Sequence, residues 1–176
     1  MDTRLAVLFF SMIFPTCVQA SCPAESVIGM YPQTASATTR RLVRRDYSIG
    51  RDMLFGVLGN PRSYATAKLY LLHSASNGYA PAETLLGLMH EKGWGVTKNY
   101  TIATSFLMKA ASQRYAPAYL LLGDMSAEGH GVGVDVKQAR TFYEHALKNS
   151  EVGSLPFKAA KRNLRDGLMS PTFPSF

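Results

Sequence analysis

The chain repeats itself. Moved along by 36 residues, Tyr79-Ala80-Pro81-Ala82 falls on Tyr115-Ala116-Pro117-Ala118. The same displacement lays Leu85, Leu86, Gly87 and Met89 on Leu121, Leu122, Gly123 and Met125, and Gly93, Gly95 and Val96 on Gly129, Gly131 and Val132. Further along, Ala103, Phe106 and Ala110 meet Ala139, Phe142 and Ala146 without a gap. A period in this range marks stacked supersecondary units, none of which can bury its apolar face alone.

Each unit reads as two helices. Ala82, Leu85, Leu86 and Met89 are spaced to share one helical face, and Pro81 suits the first turn, where its missing N–H is harmless. Gly93 and Gly95 end that helix. Asn99 is an N-cap for a second helix carrying Ala103, Phe106, Leu107 and Ala110 on one face, and Asp135 is its counterpart ahead of Ala139, Phe142, Tyr143 and Ala146. An earlier copy follows from the same displacement run backwards: Gly59, Ser63, Tyr64, Ala67, Tyr70 and Leu71 precede Gly95, Asn99, Tyr100, Ala103, Phe106 and Leu107. Its first helix, around 43–58, is degenerate, with Gly50 where a leucine is expected. Phe157, Ala160, Leu164 and Leu168 lie on one side of a last, capping helix.

The expected fold is therefore all-α: a right-handed α-solenoid of about three helix-turn-helix repeats with a C-terminal capping helix. The expected divisions are 1–20, an export signal; 21–42, a flexible lead; 43–170, the solenoid; and 171–176, a tail. Within the solenoid the repeats are 43–78, 79–114 and 115–150, and the capping helix is 154–169.

The export signal rests on Arg4, the apolar run from Leu5 to Phe14, the break at Pro15 and the small-residue site ending at Ala20. It is too short to span a membrane. Cys17 would leave with it. The remaining Cys22 allows no intramolecular disulfide, and is either a free thiol or, through Ala20-Ser21-Cys22, a lipid acceptor. The expected location is periplasmic or secreted. The net charge of +7 points to acidic protein partners or anionic envelope lipid before nucleic acid.

The portions Gly87-Leu88-Met89, Gly93-Trp94-Gly95-Val96, Gly123-Asp124-Met125 and Gly129-His130-Gly131-Val132 resemble the Sel-1-like repeat family, a branch of the tetratricopeptide-like solenoids. The resemblance covers 63–150 well and 43–59 weakly. The family's usual closing glycine survives only as Gly78, with Arg114 and Ser150 at its other positions. The resemblance implies a scaffold for protein contacts, with immunity proteins, envelope adaptors and β-lactam-binding or hydrolysing relatives among its exported members.

Catalytic patterns are missing from the sequence. There is no Gly-x-Ser-x-Gly elbow and no Ser-x-x-Lys, and His90-Glu91 lacks the second histidine of a zinc-protease helix. His73, His90, His130 and His145 read as solvated surface side chains scattered over the repeat. No enzyme activity, metal or cofactor is expected. Binding sites in solenoids lie where repeats differ on a fixed frame. Glu83, Leu88, Tyr119 and Asp124 are off the apolar stripe and are the expected inner, concave contacts. Trp94, with His130 in its place one repeat later, is either an exposed anchor or packing over the neighbouring turn. Arg40, Arg41, Arg44 and Arg45 form a basic cluster suited to a solvated cap or to anionic lipid. The expected function is a non-catalytic binder of one protein partner, a toxin or an envelope-complex subunit. The alternatives are a β-lactam-binding or hydrolysing enzyme and a lipid-binding structural protein.

Overall fold

The computed structural model describes residues 36–57, 59, 61–131 and 133–165. The expected export signal, Cys22, most of the lead, the tail and the last residues of the capping helix lie outside them. Seven helices follow one another among the described residues: α1 (Ala37–Phe55), α2 (Tyr64–Ser76), α3 (Ala80–Lys92), α4 (Tyr100–Ser112), α5 (Ala116–Glu128), α6 (Val136–Lys148) and α7 (Leu155–Arg165). Among the described residues there is no strand, and no helix is long and apolar enough to cross a membrane.

Local chemistry sets the helix ends. The side chains of Ser63, Asn99 and Asp135 accept from the backbone N–H of Thr66, Ile102 and Gln138, satisfying donors that the first helical turn leaves unpaired. Gly93 and Gly129 close α3 and α5 in the left-handed conformation. Ser36 caps α1 through the N–H of Thr39, so this helix starts ahead of the expected boundary. Residues 37–42 are thus helical and not part of a flexible lead.

The helices pair as α1 with α2, α3 with α4 and α5 with α6, and each pair docks on the next. Ala67, Leu71, Ala103, Leu107, Ala139, Tyr143 and Ala146 form the buried faces of the second helices. At each crossing within a pair a glycine lets the helices touch. A Cβ on Gly50 would come within 2.8 Å of Leu71 Cγ, one on Gly87 within 2.8 Å of Leu107 Cγ, and one on Gly123 within 2.5 Å of Tyr143 Cε1.

That column corrects the expectation for α1. Gly50 does not stand in for a leucine; it is the counterpart of Gly87. The same register pairs Asp46 with Glu83 and the α1 cap Gly56 with Gly93. One extra residue in the loop before α2 accounts for the slip. The backbone bond closing that loop runs from Ser63 N–H to Met53 O, whereas its equivalents run from Asn99 to His90 and from Asp135 to Ser126. The first pair is regular in architecture, with its loop one residue longer.

The stack has two unlike edges. Helices α1, α3, α5 and α7 approach one another in succession, while α2, α4 and α6 do not. The first helices form the inner edge and the second helices stand apart on the outer one.

Candidate binding surface

The inner edge is closed by its own side chains. Glu83, expected to project, is 5% exposed; burial raises the pKa of its carboxyl, opposed by Lys109 and by a hydrogen bond that Gln113 Nε2 donates at 2.9 Å. Leu88 is 6% exposed and packs in the core with Leu107, Leu121 and Met125. Asp124 accepts from Tyr143 Oη at 2.6 Å and from Asn163 Nδ2 at 3.1 Å, tying α5, α6 and α7 together. Burial lifts its pKa to about 6, against the lowering effect of the Tyr143 bond. Tyr119 is half-buried, its ring stacked on His145 at 5.3 Å. None of these four is a free contact on an open concave face, because α3 and α5 are flanked on both sides by neighbouring helices.

Their partners form a column that the sequence reading missed. Asp46, Glu83 and Tyr119 are equivalent positions. They face His73, Lys109 and His145, which are also equivalent, two repeats separating the histidines. Asp46 Oδ2 lies 2.6 Å from His73 Nδ1 and the Tyr119 ring stacks on His145, whereas Glu83 takes its hydrogen bond from Gln113 and not from Lys109. His73 and His145 thus share a repeat position and are exposed, as expected, while His90 and His130 fall at other positions and are half-buried. His90 stacks on Phe106 at 5.9 Å, and His130 sits 3.1 Å from Glu128 Oε2. Glu91, nearly buried, is paired with Lys92 Nζ at 2.7 Å. Among the described residues no His, Cys, Asp and Glu side chains are grouped to hold a metal.

Trp94 is seam packing, not an exposed anchor. Its ring stacks on Tyr64 at 6.3 Å and meets Phe55 edge-on at 6.2 Å. His130 repeats the arrangement, stacked on Tyr100 at 4.6 Å. In both loops the following glycine, Gly95 or Gly131, has positive φ and lies so close that a Cβ there would collide with Cβ of Tyr64 or Tyr100. Each loop therefore docks on the first residue of the preceding second helix. At the ends this docking is missing: Gly59 faces open space and Val136, the counterpart of Tyr64 and Tyr100, is 53% exposed.

This back-docked Gly-x-Gly loop, repeated on a helix pair, matches the Sel1 repeat model over residues 80–115 and 116–150. The chain carries two Sel1 repeats. Its fold is similar to a Sel1 repeat protein from Oxalobacter formigenes, at 29% identity and TM-score 0.59, over 75% of this chain and 51% of that one. It is similar in fold to a protective antigen of uropathogenic Escherichia coli displaying an SLR fold, at 24% identity and TM-score 0.61, over 74% of this chain and 28% of that one. A third similar fold is Helicobacter pylori cysteine rich protein B, at 21% identity and TM-score 0.52, over 74% of this chain and 98% of that one. This Sel1-repeat chain thus spans about half of the first of these proteins. Comparison with curated proteins finds no match.

Side chains remain open at the amino-terminal end of the inner row and along the outer edge of the Sel1-repeat solenoid. Arg40, Arg41, Arg44 and Arg45 are all exposed on α1, Arg45 lying 3.5 Å from Asp46. On α2, Leu69 is 70% and Leu72 38% exposed, and on α4 Ile102 is 39% exposed. Their counterparts on α6 are Thr141, Glu144 and Gln138, and Glu144 there accepts an ordinary surface bond from Arg140.

Proposed function

We propose that this chain is an exported, non-catalytic protein of the bacterial cell envelope that binds one partner protein, as an immunity protein against a toxin or as an adaptor. Sel1 repeats generally serve protein–protein interaction, which supports the coarse reading. One observation carries it here: α2 and α4 present exposed leucine and isoleucine where α6, built on the same frame, presents threonine, glutamate and glutamine. A solvated helix gains nothing from exposed apolar side chains, whereas an interface does. The inner edge, expected to hold the contacts, is occupied by internal bonds, so the reading moves to the outer face.

The test is affinity capture from envelope extract with the wild-type chain and with a Leu69→Thr, Ile102→Gln variant. A stoichiometric partner lost in the variant supports the reading. If that partner's toxicity is abolished by an equimolar amount of the chain, the role is immunity; if its activity persists in the complex, the role is adaptor. Equal recovery by both baits removes the outer face from the reading, and an intact first residue on chain recovered from the envelope removes the export signal.

A further inference from the structure

Because α2 and α4 stand apart, an open groove of about 720 Å³ runs between them, floored by the end of α3 and the loop that follows it. Lys68 stands on the α2 wall and Ile102 on the α4 wall. Leu72 is one turn beyond Lys68 on the same face, and Phe106 and Lys109 follow Ile102 at one and two turns. Lys109 Nζ is 5.6 Å from the centre of the Phe106 ring. Both walls thus combine an ammonium group with exposed apolar surface.

The next groove along, between α4 and α6, is an internal comparison. Its equivalent positions are Thr104 and Met108 on one wall and Gln138 and His145 on the other. Neither lysine is kept, and isoleucine has become glutamine. Charge is also one-sided around the first groove: no Asp or Glu occurs between Asp52 and Glu83, or between Glu91 and Asp124. Glu83, whose carboxylate Lys109 favours electrostatically, is itself buried and bonded to Gln113. Lys68 makes no ion pair among the described residues.

We propose that the α2–α4 groove is the docking site for a protein segment carrying carboxylates beside apolar side chains, the carboxylates meeting Lys68 and Lys109 and the apolar groups covering Leu72 and Ile102. This rests on the reading that the chain binds a partner protein and says where and by what chemistry. A segment laid along the groove reaches Lys68 on one wall and Ile102 on the other at once. Charge complementarity across it selects acidic partners and speeds encounter.

The experiment is selection of random displayed peptides on the full chain, with affinities then measured against Lys68→Glu, Leu72→Glu and Ile102→Gln variants. Two of these substitutions install the residues α6 already carries, and thermal melting confirms each fold. Selected peptides are expected to pair Asp or Glu with Leu, Ile or Phe. They are expected to weaken at least about tenfold in each groove variant and to be unaffected by Lys137→Glu on α6. Selected peptides without acids, or affinities indifferent to the groove variants, overturn the proposal. So does binding to phosphatidylglycerol vesicles that the same variants abolish while no peptide is selected, which would assign the surface to a membrane. A partner protein captured equally by wild type and groove variants overturns the groove alone; no partner and no peptide overturns the parent reading as well.

Discussion

Tyr143 donates its hydroxyl to Asp124 across 2.6 Å, from α6 to α5, and Asn163 of α7 completes the bond set of the same carboxylate oxygen. One side chain therefore joins three helices. The carboxylate it holds is costly to keep ionised, since burial raises its pKa to about 6.

The first prediction concerns acid. A folded-state pKa above the ordinary 3.8 means that the fold binds this proton more tightly than the unfolded chain does. The resulting stability is complete below about pH 4 and is lost as pH rises through about 6. Asp124→Asn removes the titration. The stability difference between wild type and Asp124→Asn should shift toward wild type by roughly 2–3 kcal/mol on going from pH 7 to pH 4, measured by urea unfolding. A pH-independent difference would show that Asp124 is not buried as described.

The Tyr143 hydroxyl has its own prediction. Tyr143→Phe leaves Asp124 short of a donor in a buried setting and should cost about 1–3 kcal/mol at pH 7. The loss should shrink toward pH 4, where the protonated carboxyl supplies its own O–H. Denaturant midpoints at the two pH values measure it.

Glycines in the docking loops should separate by position. Gly95→Ala and Gly131→Ala combine positive φ with a collision against Tyr64 or Tyr100, and each should destabilise by at least about 2 kcal/mol. Gly59→Ala has positive φ but open space and should cost about 1 kcal/mol. Gly133→Ala, with no neighbour within 4 Å, should change melting little. Equal losses at all four would refute the docking geometry.

Trp94 is the single tryptophan of the chain, so its fluorescence reports the seam between the first two helix pairs. Trp94→Ala should cost about 3–5 kcal/mol, and Trp94→His, the residue of the next loop, should recover part of it. An emission change that precedes unfolding seen by circular dichroism would mark this seam as the first to open.

Much of this architecture was legible in the residues. Asn99, Asp135 and Ser63 cap where their chemistry says they should, and Pro81 and Gly93 bracket α3, because these effects act within a turn of the chain. The register of α1 was not legible at a constant displacement of 36, since the one-residue excess lies in a loop with no residue type to mark it. The fate of Glu83 and Asp124 was hidden for another reason. Their partners lie 30 positions away for Glu83 and 19 and 39 for Asp124, so helical spacing placed them off the apolar stripe without revealing that neighbouring helices cover that side. The outer groove went unseen because Lys68 and Ile102 sit on different helix pairs, and only the divergence of α2 from α4 makes them opposite walls.

The loops that carry Trp94 and His130 reach backward along the chain and never forward. Each helix pair is finished by the one before it, so a polypeptide leaving a ribosome or a translocation channel amino end first always meets a completed seat when its next pair emerges. Assembly then runs like courses of masonry, each laid on the last. Trimming from the carboxyl end would leave the lower courses seated, while removal of α1 and α2 would take away the Phe55 and Tyr64 rings that the Trp94 loop docks on.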